Sequence, residues 1–354
     1  MKINVLNVKN KKGGILQMKD YQFLNKKKCV DRCFFFKAIS VIVAIVFLSI
    51  SFNLYGQTVK KRISIATGGM GGVYFVIGGG IASILTKYAG VEAAAEVTSA
   101  SVDNCKLLAA KKSEFALILA DTGYDAYKGS GAFKGKELPI RTVAVLYPGL
   151  THIVTTEGKN IRRVADLKGK RVSVGSPGSG TEVIALRVLE SAGLNHEKDI
   201  KKDRLGAGES AGALKDGKID AYFWTGGIPT SSVLDVAASP GIKIAIVPQN
   251  DIVPKLAKKF GPIYYQSIIP KNIYTGINKD IPVTAVGNIL MCHAEADEQL
   301  VYDVLKTIFG HLKELTAIHK EALNINLKDG ASNKAVPYHK GAVKFFKEKG
   351  LKVN

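Results

Sequence analysis

The sequence predicts an α/β protein built from two lobes that share one plan. Three observations carry this. Strand and helix signals alternate from Lys61 onward, the pattern of layered folds with mostly parallel sheets. A strand, a glycine-rich turn and a helix occur in "RISIATGGMGGVYF" and again in "RVSVGSPGSGTEVIALRVLESAG". The spacing from each glycine loop to its next turn is also similar, 41 residues from Gly72 to Ser113 and 39 from Gly178 to Gly217. A chain of 354 residues can bury cores of that size.

Residues 1–56 stand apart. "NKKKCVDRCFFFK" is a cationic flank and Ala38 to Phe52 is an uncharged apolar run, the pattern of a secretory signal peptide. Extended from Phe34 to Leu54 the run reaches the length of a membrane anchor, so both alternatives stand, and Met18 is a second candidate start. After this leader, 57–148 is expected as the first segment of lobe one. Its strand–glycine loop–helix ends near Tyr88, a second strand leads to a helix that Ser101 caps, and a third strand ends at Asp121. A strand should run out through Pro148-Gly149, with a new one from His152 opening lobe two, 149–272. The return to lobe one falls between Pro262 and Thr284, giving 273–354 as the last segment, where "QLVYDVLKTIFGHLKEL" reads as one amphipathic helix packed on that lobe.

Charge and cysteines narrow the class. The formal net charge is +20; the first 56 residues hold ten of the 50 Lys and Arg and two of the 30 acids, which leaves +12 from Gln57. Such a field draws anionic small molecules. The lysines are scattered and no aromatic-interleaved basic stripe is visible, which argues against nucleic acid. Cys29 and Cys33 lie in the leader; Cys105 and Cys292 are expected as buried thiols. The six histidines lack metal-ligand spacing, and no G-x-S-x-G elbow is present, so neither a metal nor an enzyme is indicated.

The two glycine loops carry the chemistry. Backbone N–H groups at a helix start lack intrahelical acceptors and hold the positive end of the dipole. The first loop offers Gly68, Gly69, Gly71 and Gly72; the second offers Gly178 and Gly180 with no lysine after it, so it is not a P-loop. Facing each other, the loops make a two-sided cradle for an anion. Ser179 and Thr181 either cap their helix or give hydroxyls to a carboxylate. Ser99, Ser101 and Asn104 stand at the end of the second strand. Asp121 binds a ligand amino group or hydroxyl, or caps the next helix. Trp224 forms an apolar wall or a core anchor, and Tyr74, Tyr264, Tyr265 and Tyr274 are phenolic donors.

Five stretches together, "ATGGMGGVYFVIGGGIA", "SASVDNCKLLAAKKSEFALILAD", "DLKGKRVSVGSPGSGTE", "LKDGKIDAYFWTGGIP" and "VPYHKGAVKFFKEKG", resemble the TAXI family of extracytoplasmic receptors of TRAP transporters. The resemblance implies a type II periplasmic-binding-protein fold that closes like a clam shell on its ligand between the lobes. It implies delivery to a fused TRAP membrane permease, and a small anionic organic ligand such as glutamate, glutamine or a 2-oxoglutarate-like dicarboxylate. No cofactor is implied, and a monomer is expected. By position, the implied ligand shell is Gly72, Tyr74, Ser101, Asn104, Asp121, Gly178, Ser179, Gly180, Thr181, Trp224 and Gly227. Ala100 departs from the family's usual glycine, and no arginine lies in either loop. A membrane-anchored sensor or surface-interaction protein on the same scaffold is the alternative.

Overall fold

The computed structural model describes residues 60–353; the leader segment lies outside them. Strands β1 (Arg62–Ala66), β2 (Glu92–Glu96) and β3 (Phe115–Leu119) alternate with helices α1 (Val73–Tyr88), α2 (Ser101–Ala109) and α3 (Ala120–Lys128). After β4 (Ile140–Thr156) the plan repeats: β5 (Arg171–Ser173), α4 (Gly180–Ser191), β6 (Lys201–Asp203), α5 (Ala207–Lys215), β7 (Ala221–Gly226), α6 (Ser231–Ala237). Then come β8 (Ile244–Ile246), α7 (Val253–Phe260), β9 (Tyr265–Ile269) and β10 (Ile281–His293). Helices α8 (Glu298–Gly310), α9 (Leu312–Ile318), α10 (Leu327–Gly330) and α11 (Lys340–Glu348) finish the chain.

The sheet order is β2-β1-β3-β10-β4-β7-β5-β6, with β8 beside β4 and β9 beside β10. β1 is parallel to β2 and β3, and β5 to β6 and β7. Between these halves β10 and β4 run antiparallel, from Ala285 opposite Leu150 to His293 opposite Ile140. Among the described residues these two long strands join the two halves of the sheet. Their reversed direction turns the carboxyl ends of β1 and β3 toward those of β5 and β7, the edge where open α/β sheets bind ligands.

Strand alternation explains the layers. In lobe one Ile63, Ile65, Phe115 and Leu117 enter one core cluster under α1, while Ala66, Ala116 and Ile118 enter another under α2. In lobe two Val172, Ala221 and Phe223 face α4, and Tyr222 faces α5 and α6. Three expectations change. β4 is one strand rather than two; Pro148 is accommodated because β7 joins only from Leu150, so its missing N–H breaks no ladder there. Ile273, Tyr274, Ile277, Ile281, Val283 and Ala285 pack in the lobe-two cluster, so the chain changes sides inside β10, later than the expected return. The long C-terminal helix is broken after Gly310: His311 leaves helical geometry and stacks on Tyr88 at 3.7 Å. Cys105 and Cys292 are buried, free thiols in different clusters.

Candidate functional site

A cavity of about 370 Å³ lies between the facing strand ends. Its wall is made largely of helix starts: Gly71 to Tyr74 of α1, Thr98 to Ser101 of α2, Ser179 and Thr181 of α4, and Gly206 to Glu209 of α5. Gly68 to Met70, Leu119, Gly175, Ser176 and Phe223 to Gly226 complete it. No Lys, Arg or His contributes to this wall. Its one ionisable acid, Glu209, is exposed and accepts the Gly206 N–H at 2.8 Å. A helix start with free amides carries roughly half a positive charge, so α1, α4 and α5 turn a positive field on the cavity without a cationic side chain, while the first α2 amides are taken by Gly178 O.

Hydroxyls in the wall are pre-set by bonds they accept. Ser179 Oγ takes the Glu182 N–H at 3.1 Å, which makes it the N-cap of α4. Thr181 Oγ1 takes the Thr225 N–H at 3.2 Å. Ser101 Oγ takes the Leu119 N–H at 3.1 Å. In each case the hydroxyl proton remains to be donated. Tyr74 Oη is buried and has no hydrogen-bond partner among the described residues, and burial pushes its pKa well above the ordinary range. Trp224 forms the wall, held by an Nε1–H···Oγ1 bond of 2.9 Å to Thr230. Behind it, Tyr274 Oη accepts the Thr230 N–H and meets His152 Nε2 at 3.0 Å. Burial lowers the His152 pKa to about 4, so this support is neutral.

Of the eleven expected ligand residues, Gly72, Tyr74, Ser101, Ser179, Thr181 and Trp224 line the cavity, and Asn104, Asp121, Gly178, Gly180 and Gly227 do not. Asn104 is fully buried; its amide gives hydrogen bonds to Thr67 O and Leu117 O at 2.8 Å each and accepts one from Thr98. It ties strand ends together and has nothing left for a ligand. Asp121 is also buried, accepting from Tyr264 Oη at 2.7 Å, with Arg187 at 3.6 Å. Burial lifts its pKa, opposed by Arg187 and Tyr264. Nor does Ser101 cap α2. Ala100 occupies the cap position with φ 79°, and Ser101 is the first helical residue.

The remaining glycines serve contact between lobes. Gly178, at φ 79°, offers its carbonyl to the Val102 and Asp103 amides at 3.1 and 3.4 Å, stoppering the start of α2. A Cβ at Gly180 would stand 2.7 Å from both Ser101 Oγ and Leu119 Cδ1. One at Gly72 would stand 2.6 Å from the Trp224 ring, and one at Gly227 2.7 Å from Glu321. These positions take no side chain because the other lobe is already there. The α5 start escaped the sequence reading, although "LGAGES" shows the same glycine-before-helix signal.

Among the described residues no helix is long and apolar enough to cross a membrane, and no cluster of three or more His, Cys, Asp or Glu side chains could hold a metal. The two lobes, the shared pair of crossing strands and the cleft at the strand ends define the type II periplasmic-binding-protein fold. Within that class, the model of the NMT1-like family matches residues 65–350, and the chain belongs to this family. Among solved structures it is similar to the periplasmic aliphatic sulphonate binding protein SsuA from Escherichia coli, at 16% identity and a TM-score of 0.46, covering 82% of this chain and 90% of that one. It is also similar to a binding protein component of an ABC phosphonate transporter from Pseudomonas aeruginosa, at 11% identity and a TM-score of 0.48, covering 75% and 80%.

Proposed function

We propose that the chain is an extracytoplasmic solute receptor that captures a small carboxylate by closing its two lobes. The observation that carries this is the convergence of three helix starts with free amides, α1, α4 and α5, on one cavity whose wall holds no cationic side chain. Amide dipoles and hydroxyl protons fixed in a small enclosed space suit an anion. At about 370 Å³ the cavity lies in the lower part of the range for small-molecule clefts. That size suits an acidic amino acid or a short dicarboxylate, of the glutamate or 2-oxoglutarate type. The TAXI resemblance supports delivery to a TRAP-type permease, with the receptor itself a monomer exported by its N-terminal segment. Residues 60 to 148 and those after Gly287 form one lobe in this account, and the chain between them forms the other.

A thermal-shift screen of C4–C6 dicarboxylates, acidic amino acids and keto acids tests the proposal. A ligand that binds only the folded state raises the melting temperature with concentration, by about 2.7 kcal/mol of stabilisation at a hundred times Kd. If none of these acids shifts the melting temperature, the carboxylate reading fails.

A further inference from the structure

Away from the cavity, one buried cluster joins the lobes through charge. Arg187 lies on α4 in lobe two, and Asp121 and Asp125 lie on α3 in lobe one. The guanidinium meets Asp125 Oδ2 at 2.5 Å and Asp121 Oδ2 at 3.6 Å, and donates to Tyr264 Oη at 2.8 Å. Tyr264 Oη donates a hydrogen bond to Asp121 Oδ2 at 2.7 Å, while Ser130 Oγ donates to the second Asp125 oxygen at 2.9 Å. The Phe260 ring covers the guanidinium at 4.8 Å. Side-chain exposure is 14% for Arg187, 0% for Asp121 and 9% for Asp125. None of the four ionised or phenolic groups borders the cavity.

We infer that Arg187 and Tyr264 are positioning residues for ligand capture, acting through the balance between open and closed lobes rather than on the ligand. Two carboxylates share one guanidinium here, so the closed state depends on that cation. When α3 and α4 part, all three charges regain water, and the Coulombic loss is offset by hydration. The cluster therefore sets a shallow preference for closure that a ligand can complete. Without the guanidinium, the paired carboxylates shed their desolvation either by opening or by taking up a proton, and the scattering comparison reads the opening. The inference rests on the clam-shell reading, but it does not depend on which acid is bound.

The test compares the wild-type protein with Arg187→Met and Tyr264→Phe. Small-angle scattering reports lobe opening without ligand, and stopped-flow with L-glutamate as probe reports release. Arg187→Met is expected to enlarge the ligand-free radius of gyration and to weaken glutamate binding roughly 5- to 150-fold, the span of ordinary coupling between sites, mainly through faster dissociation. Tyr264→Phe leaves no charge unpaired and should move both readouts the same way by less. A radius of gyration equal to wild type in the folded variants overturns the inference. If Arg187→Met does not fold, Tyr264→Phe decides. If wild type ignores glutamate, the ligand class is wrong, and the scattering comparison still judges the inference.

Discussion

Gly180→Ala separates closure from folding. Gly180 is the first residue of α4 and its backbone needs no positive φ, so alanine fits lobe two without strain. Across the cleft the new methyl would lie 2.7 Å from Ser101 Oγ, 2.7 Å from Leu119 Cδ1 and 3.0 Å from Ser101 Cβ. None of these atoms yields easily. Ser101 Oγ is tied to the Leu119 amide at 3.1 Å, and Leu119 ends a buried strand. Overpacking of this kind costs about 1–3 kcal/mol, and the cost falls on the closed state alone. Affinity should drop roughly 5- to 150-fold on that range. The ligand-free protein should melt no lower, because alanine in a helix is about 0.5–1 kcal/mol better than glycine. Isothermal titration with the strongest acid from the screen, paired with a melting curve of the free protein, reads both effects. Affinity within twofold of wild type would mean that the lobes do not meet at Gly180 when ligand is held, and the closure argument would fall.

Gly178→Val adds left-handed strain of about 1–3 kcal/mol and pushes on the Asp103 carboxylate, 3.0 Å from the new Cβ; binding should weaken roughly 5- to 150-fold while circular dichroism stays native, and affinity within twofold of wild type would count against the Gly178–α2 contact. Tyr74→Phe removes a buried hydroxyl that has no protein partner, so ligand-free stability should hold or rise by about 1 kcal/mol as affinity falls; a lower melting point with unchanged affinity would assign the hydroxyl a structural role. His152 stays neutral in the fold down to about pH 4, against an ordinary histidine pKa of 6.5. The unfolded chain therefore takes up that proton first as pH falls, and stability is lost between pH 6.5 and 4. From pH 7 to pH 5 wild type should lose about 2 kcal/mol more than His152→Gln in urea melts, and parallel losses would refute the assignment.

What was legible depended on how far each residue's partners lie along the chain. The alternation of strands and helices and both glycine loops are local patterns, and they place the α1 and α4 starts at the cavity wall. Asn104 reads as a ligand group, and Asp121 as a ligand group or a helix cap, because polar residues at strand ends suggest a site. Asn104 instead serves Thr67 and Leu117, and Asp121 serves Tyr264, 143 residues away. Nothing in their neighbourhoods announces these partners. The break at His311 likewise depends on a ring at Tyr88 that only the fold brings near. Local sequence also cannot show that a glycine is required by the opposite lobe, as Gly72 and Gly180 are.

The strongly basic composition and the cavity give different answers about charge, and the difference bears on mechanism. From Gln57 onward the chain carries a net +12, yet the cavity wall draws no cation from it. Surface lysines can raise the encounter rate of an anion, an effect that salt screens over about 10 Å. On the proposed carboxylate reading, an anion inside would meet amides held by α1, α4 and α5, whose directions are fixed by helix geometry. A guanidinium in the wall would attract an anion from either lobe alone. Amides divided between two lobes are complete only when the lobes meet. Affinity is thereby coupled to closure, and opening the lobes removes half the cradle at once, a useful property for a receptor that must also let go.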